Sequence, residues 1–513
     1  MRPTFMGFET AKTSIFANQK SIDIVGNNLA NLDTNGYTRQ RVDRVSVVVA
    51  SSAGRVSQNR VGLMGQGVEA LGVSQLRDSY LDQRFREEYA NTAYHNEATD
   101  ILKDIQSVFD DGNDVSSMTG LTDAMEKIFD SIQDFAQDPT SSTTANIVMS
   151  AFVNMTQVLN QLDSKLQNVL EQQSSDMKVT TDRVNQLLQQ VAQLNKTISD
   201  QDMSLLTGTE TYQPNELLDE RNLILDELAG YGDIQVTQKA DGSVDVVMGG
   251  VSVVTGDSFN TLNYVQHDDG TVALTWRNGG ENAQFTSGAL KADLEFINGR
   301  GTNVQSSNET PQKGIPYYRD KINTYANAMA YVLNHSIPEW DANKGAPATD
   351  ADGNIIYKTL LAAKQDNGKT SNTISITAGN ITISDEWRAS GGDYFVVNPD
   401  EADPKYAQSI ATNLTQSDFT FKSFGETFTG TFEEFSTDIV STLGSEISYQ
   451  QNRAEATSSV TNDFLARRDE VSGVSRDEET ANLLQYQKSY EAAARVMNVM
   501  DELLDVIINQ MGL

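Results

Sequence analysis

The chain has 513 residues, enough for three or four compact units, with 38 Lys and Arg against 71 Asp and Glu and a net charge of −33. Such acidity repels phosphate backbones and anionic membrane surfaces, which argues against nucleic-acid and membrane partners. There is no Cys, and the three His stand apart at 95, 267 and 335, which excludes disulfides, thiolate sites and Cys nucleophiles and leaves little for a His-built metal site or a Ser-His-Asp triad.

The first 33 residues read as a helix. Met1, Phe8, Ile15, Ile22 and Leu29 repeat every seven residues, and Thr4, Ala11, Asn18, Val25 and Leu32 form a second, mostly apolar register. Asp33-Thr34-Asn35-Gly36 then supplies turn chemistry. Residues 46–76 look extended, starting from Val45–Val49 and punctuated by glycines. Helical spacing returns over 77–110, over Leu121–Ala136 and over Thr143–Leu206, the last with no Gly or Pro, as one bent helix or two. After Gly230 short strands and turns take over, with Asp241-Gly242 as a hairpin signal. Residues 287–299 and 315–337 read as helix. Strands are expected at 373–377, 380–383 and 393–397, and helix again over Glu433–Glu470.

The last segment mirrors the first. Leu483, Tyr490, Met497, Leu504 and Met511 form one heptad register, and Tyr486, Ala493, Met500 and Ile507 the other. Ser475 and Glu478 have capping-box spacing, so a helix on the order of 50 Å should begin near 476. Residues 1–45 carry six Lys/Arg and four Asp/Glu, residues 471–513 three and seven, so the two ends have opposite sign and suit packing together or on neighbouring copies. The expected fold is α+β and multidomain: terminal heptad helices forming an N/C coiled coil, a long helical bundle and inserted β-rich domains. The divisions are 1–45 pairing with 472–513, a bundle over 46–230 with an extended segment at 46–76, a small β insertion at 231–286, returning helices at 287–339, an outer β-rich insertion at 340–425 and a helical return at 426–471.

Few constellations suggest catalysis. Carboxylate pairs are unavoidable among 71 acids and say little about glycoside chemistry. Asp350-Ala-Asp352-Gly353-Asn354 resembles the start of a calcium loop, but Ile355 and Leu361 stand where the EF-hand needs Gly and Glu, so a turn is expected. Gly299-Arg300-Gly301 lacks the Lys-Ser/Thr of a phosphate loop, and no H-E-x-x-H occurs. No enzyme activity, cofactor or metal is expected.

One string stands apart: Asn27-Asn28-Leu29-Ala30-Asn31-Leu32-Asp33-Thr34-Asn35-Gly36-Tyr37-Thr38-Arg39. Its asparagines sit near a helix end, where amides cap or bridge; Gly36 permits reversal, and Tyr37 and Arg39 present an aromatic and a forked donor beyond it. The string resembles the N-terminal signature of the bacterial flagellar rod, hook and hook-associated family. Ser472–Met497 resembles the family's C-terminal element, through Glu478, Glu479, Asn482, Leu483, Tyr486, Gln487, Tyr490, Ala493, Ala494 and Arg495, and Asp501, Leu504 and Ile508 extend it. Asn215-Glu-Leu-Leu-Asp-Glu-Arg-Asn222 and Ser287–Asn298 resemble the hook–filament junction branch, while 340–425 looks divergent.

The resemblance implies a structural flagellar component between hook and filament. Its assembly interface would comprise Asn27, Asn28, Leu29, Asn31, Thr34, Gly36, Tyr37 and Arg39, with Leu483, Tyr486, Tyr490, Ala493, Arg495, Met497, Met500, Leu504 and Ile507 on the C-terminal helix. It implies as partners other copies of the chain, the hook protein, a second junction protein and an export chaperone on the C-terminal helix. It also implies an extracellular site reached through the flagellum's own type III channel, consistent with an N-terminus lacking a secretory apolar core. Alternatives are another axial protein of hook or rod, or an adhesin or glycan-binding role for the outer insertion.

Overall fold

A computed structural model of the protein describes residues 6–47, 67–109, 118–205, 214–267, 270–302, 304–341, 343–365, 367–398, 403–423 and 426–506. Helix α1 (Met6–Ala30) leads into an antiparallel ribbon of β1 (Gln40–Ser46) and β2 (Val68–Gln75). Helices α2 (Ser79–Phe109), α3 (Thr119–Gln137), α4 (Ser142–Leu205) and α5 (Asn215–Tyr231) follow. An antiparallel meander of β3 (Ile234–Gln238), β4 (Val244–Met248), β5 (Val251–Thr255) and β6 (Ser258–Phe259) precedes the pair β7 (Leu262–Gln266) and β8 (Val272–Trp276). Helices α6 (Ala289–Ile297) and α7 (Ile315–Asn334) then return.

Residues 340–429 carry short elements: β9 (Trp340–Asp341), β10 (Ala346–Pro347), β11 (Leu361–Lys364), β12 (Thr370–Ser371), β13 (Ile381–Ile383), α8 (Asp385–Ser390), α9 (Lys405–Thr415), β14 (Thr420–Ser423) and β15 (Glu426–Thr429). Long helices α10 (Phe432–Ser472) and α11 (Arg476–Asp505) close the described chain. The fold is a mixed α+β, multidomain one.

Helix α4 organises the interior. It runs unbroken for 64 residues, roughly 95 Å at 1.5 Å per residue. Its first half, from Ala145 through Phe152 and Leu159 to Leu166, packs with α2, α3, α7 and the start of α10 in one core. Its second half, from Met177 through Val184 to Ala192, packs with α5, α6 and the β3–β8 strands in another. The turn between β3 and β4 is the expected Asp-Gly hairpin, with Gly242 at φ +76°. Phe421 of β14 stacks on Phe435 at 4.4 Å and meets Phe432 edge-on at 4.9 Å, tying the β14–β15 hairpin to the start of α10.

Several local expectations are corrected. The first strand begins at Gln40 rather than Val45, and the part of Val45–Val49 beyond residue 47 lies outside the described residues. Residues 373–377 form no strand, and Gly391–Tyr394 is a 3-10 turn where a strand was expected. The cause is the Gly391-Gly392 pair. Gly391 sits at φ +59°, and Gly392 lies so close to the Ser142 carbonyl that a Cβ would collide with it. Its amide donates to Asn146 Oδ1 at 2.9 Å, docking the turn on α4. The Ser475–Glu478 capping box does not form. A capping box closes instead at Thr431 and Glu434, through bonds of 2.8 and 3.1 Å.

The terminal helices α1 and α11 pack along one another. Ala11, Val25 and Ala493 are buried there, while Phe8, Ile15, Ile22 and Leu29 are half-buried. Met1, Thr4, Ile507 and Met511 of the heptad registers lie outside the described residues. Two helices can cover only one face each, so most of α11 stays exposed.

Candidate functional site

The signature string folds back against the start of α11. The end of α1 places Asn28 inward, with only 1% of its surface exposed. Its Nδ2 donates to the Gln40 carbonyl at 2.9 Å and to Glu479 Oε2 at 3.1 Å. Its Oδ1 accepts from the Gln40 amide at 3.1 Å and from the Tyr37 hydroxyl at 2.8 Å. One amide side chain thereby joins α1, β1 and α11, with donor and acceptor both satisfied as burial requires.

Arg39 completes the clasp. Its Nε and Nη2 both reach Glu479 Oε1, at 2.8 and 2.7 Å, and its Nη1 donates to Glu478 Oε2 at 2.8 Å. The Glu479 side chain is 2% exposed, that of Glu478 64%. The buried carboxylate is therefore the strong partner and the exposed one adds little. This also explains the lost capping box, because Glu478 is turned toward Arg39. The Arg39 backbone amide donates to the Ser472 carbonyl at 2.8 Å, so the α10–α11 joint is held as well. Further along β1, Arg44 donates to Asn18 Oδ1 and the Ala17 carbonyl, each at 3.3 Å, and to Ser21 Oγ, and lies 4.7 Å from the Tyr486 ring centroid.

Asn27, Asn31 and Thr34 stay on the surface and bond to one another around the helix end. Asn31 Nδ2 donates to Asn27 Oδ1 at 3.0 Å, and Thr34 Oγ1 to Asn31 Oδ1 at 3.2 Å. Gly36 makes the reversal at φ +80°, and Leu223 packs where a Cβ would stand. Gly36→Ala is expected to cost more than about 1–2 kcal/mol in urea unfolding of the terminal region, because an L side chain pays the left-handed strain as well as the clash. Burial, and then the charges of Asp219, Glu216 and Glu479, push the Tyr37 phenol above its ordinary range, so it stays a donor.

On α11, Leu483, Tyr486, Met497, Met500 and Leu504 are half-buried on the α1 side, and Ala493 is buried. Tyr490 and Arg495 are exposed, and Ile507 lies outside the described residues. About a third of a turn around the helix from that seam, at 100° per residue, Val496, Val499, Leu503 and Val506 form a second apolar stripe that is exposed.

Sequence reasoning missed the layer beneath. Asp219 accepts from the Thr38 amide at 3.3 Å and from Gln75 Nε2 at 2.8 Å, and burial pushes its carboxyl up. Asn215, one turn earlier, donates to the Val73 carbonyl at 3.2 Å. Below them Arg77 grips Asp82 through two bonds of 2.7 and 2.9 Å, and Arg86 and Arg468 share Asp226 at 2.7 and 2.6 Å. Two of these residues stand in the Asn215–Asn222 string, which was the available signal. Among the described residues no group of three His, Asp or Glu could hold a metal ion, and no helix is long and apolar enough to cross a membrane.

Comparison with known proteins bears on the same segments. The family model of the flagellar hook-associated protein FlgK helical domain matches residues 102–338. The flagella basal body rod protein model matches 8–38, and that of the flagellar basal body rod FlgEFG protein C-terminal region matches 466–511. The two terminal matches take in Asn28, Tyr37, Glu478 and Glu479 of the clasp, and Arg39 lies one residue past the first of them. Flagellar hook-associated protein 1 of Bacillus subtilis is 25% identical, covering 100% of this chain and 99% of its own. Its Escherichia coli counterpart is 22% identical over 97% of this chain and 98% of its own. The flagellar hook junction protein FlgK from Burkholderia pseudomallei shares the fold, with a TM-score of 0.51 at 14% identity over 77% of this chain and 100% of that one.

Proposed function

We propose that this chain, which belongs to the flagellar hook-associated protein family and is a structural component of the flagellum, forms the junction between hook and filament. The observation that carries this reading is the paired termini. The signature is spent on an intrachain clasp that orients α11, and α11 then offers its outer stripe to a neighbour. In this reading Asn28, Tyr37, Arg39 and the half-buried heptad residues position the interface, and Val496, Val499, Leu503 and Val506 make it. The terminal segments 1–45 and 472–513 form the inner layer, the bundle the next, and the 231–286 and 340–425 insertions face outward.

The mechanism is mechanical rather than catalytic. Burial of each apolar side chain of the stripe between copies contributes about 1.5–3 kcal/mol at most, so the seam gains strength only when repeated around a ring or short helical zone. The hook protein on one side and a second junction protein on the other are the expected neighbours. Export through the flagellum's type III channel, with a chaperone covering the C-terminal helix, suits a segment whose apolar stripe is bare until assembly.

The test is electron microscopy of isolated hooks mixed with purified chain, then with filament protein and the second junction protein. Decoration of hook tips that permits filament growth is expected. Extension of a rod or hook structure instead would move the chain elsewhere on the axis. The double variant Val499→Asp/Leu503→Asp is expected to lose tip binding at least tenfold while keeping its melting temperature, because the α1 side of α11 is untouched. Equal decoration by this variant would refute the role given to the stripe.

A further inference from the structure

We propose that the cleft around Arg221 is an anion site, taking a compact multivalent oxyanion of the phosphate or sulfate class as a missing counterion. The cleft, about 810 Å³, lies between the end of β2, the start of α2, helix α5 and the β3–β4 hairpin. Four cations line it: Arg77, Arg86, Arg221 and Lys239. Three of them have carboxylate partners. Arg77 holds Asp82, Arg86 holds Asp226 at 2.7 Å, and Lys239 holds Asp245 at 2.7 Å.

Arg221 is the exception. It is 3% exposed, and its Nη1 donates only to uncharged acceptors, Asn195 Oδ1 at 3.0 Å and the Gly242 carbonyl at 2.8 Å. Its Nε has no hydrogen-bond partner among the described residues. Burial, then the like charges of Arg86 and Arg77, pull its pKa down to about 10, against an opposing pull from Asp241. Asp241 is spent on the turn, accepting from the Ser243 amide at 3.0 Å and hydroxyl at 2.6 Å. A buried guanidinium without a carboxylate is costly, and the cost is offset when an anion enters.

The donors around the cleft favour an anion with several oxygens. Arg221 of α5, Lys239 on the hairpin side and Ser79 at the start of α2 bring N–H and O–H donors to the cleft from three elements. A tetrahedral oxyanion meets such a set better than a lone chloride. Bound there, it would tie the hairpin to α2 and α5.

The test is thermal melting of the full chain at constant ionic strength while sodium chloride is replaced stepwise by sodium phosphate or sodium sulfate. A saturable rise with a millimolar midpoint is expected. The rise should vanish in Arg221→Met, whose melting in chloride alone should be no lower than wild type. Should Arg221→Met fail to fold, Lys239→Gln decides, with a midpoint raised several-fold. A linear rise, equal in wild type and Lys239→Gln, would be the general salting effect of these ions and would overturn the proposal.

Discussion

Glu479→Ala is expected to detach α11 from the signature at a cost of about 3–5 kcal/mol to the terminal pair, the usual penalty for removing one partner of a buried ion pair. Its carboxylate accepts from three donors, Arg39 Nε, Arg39 Nη2 and Asn28 Nδ2. Glu479→Gln should be nearly as damaging, because one amide NH₂ must then face a donor. The paired replacement Arg39→Met/Glu479→Met should recover much of the loss, since no lone charge stays buried and Asn28 keeps Gln40. Hydrogen exchange resolves the effect. Amides of β1 and α11 should lose protection, while the α4 cores, which the clasp does not touch, keep theirs. Retained protection of α11 in Glu479→Ala would show that heptad packing alone holds the helix.

Glu479 also shows what a single sequence discloses. The signature string was legible as a string, and its asparagines were expected near a helix end. Their partner lies 451 residues away from Asn28, beyond the reach of any periodicity. Local reasoning paired Glu478 with Ser475, but a long-range guanidinium outcompeted that exposed cap. Within the chain, the Asn28 amide makes that long-range bond to Glu479. The seam of α4 was legible for the same reason that its division was not: helical spacing records which face is apolar, whereas the two cores depend on what folds against each half. At 393–397 apolar residues suggested a strand, yet Gly391-Gly392 allowed a tight turn onto α4 and buried Phe395 by another route. Asp219 and Arg221 were visible within one string. Only the fold separates them, placing the first under the clasp and the second in a cationic cleft.

Asp293→Asn is expected to stabilise the chain at pH 8 and to change little near pH 4. Asp293 on α6 is buried, with Glu97 of α2 and Asp176 of α4 as the charges that act on it. Burial first, then those like charges, raises its carboxyl well above the ordinary 3.8. Burial and the charges of Asp100, Asp176 and Asp104 raise half-buried Glu97 too. The native state thus holds a proton that the unfolded chain releases once pH passes about 4, so this group's contribution falls as pH rises from there to the native value, and stays low above it. Asn cannot ionise, so the variant lacks that decline. A lone buried ion costs several kcal/mol after relaxation, so the gain at pH 8 should exceed about 1 kcal/mol, a few degrees of melting temperature. Every other titrating group contributes equally to both proteins, so the informative quantity is the difference between variant and wild type at each pH. Urea unfolding at four pH values from 4 to 8 measures it. A difference that stays flat across that range, or a variant less stable at pH 8, would mean that Asp293 is charged and satisfied in the native bundle.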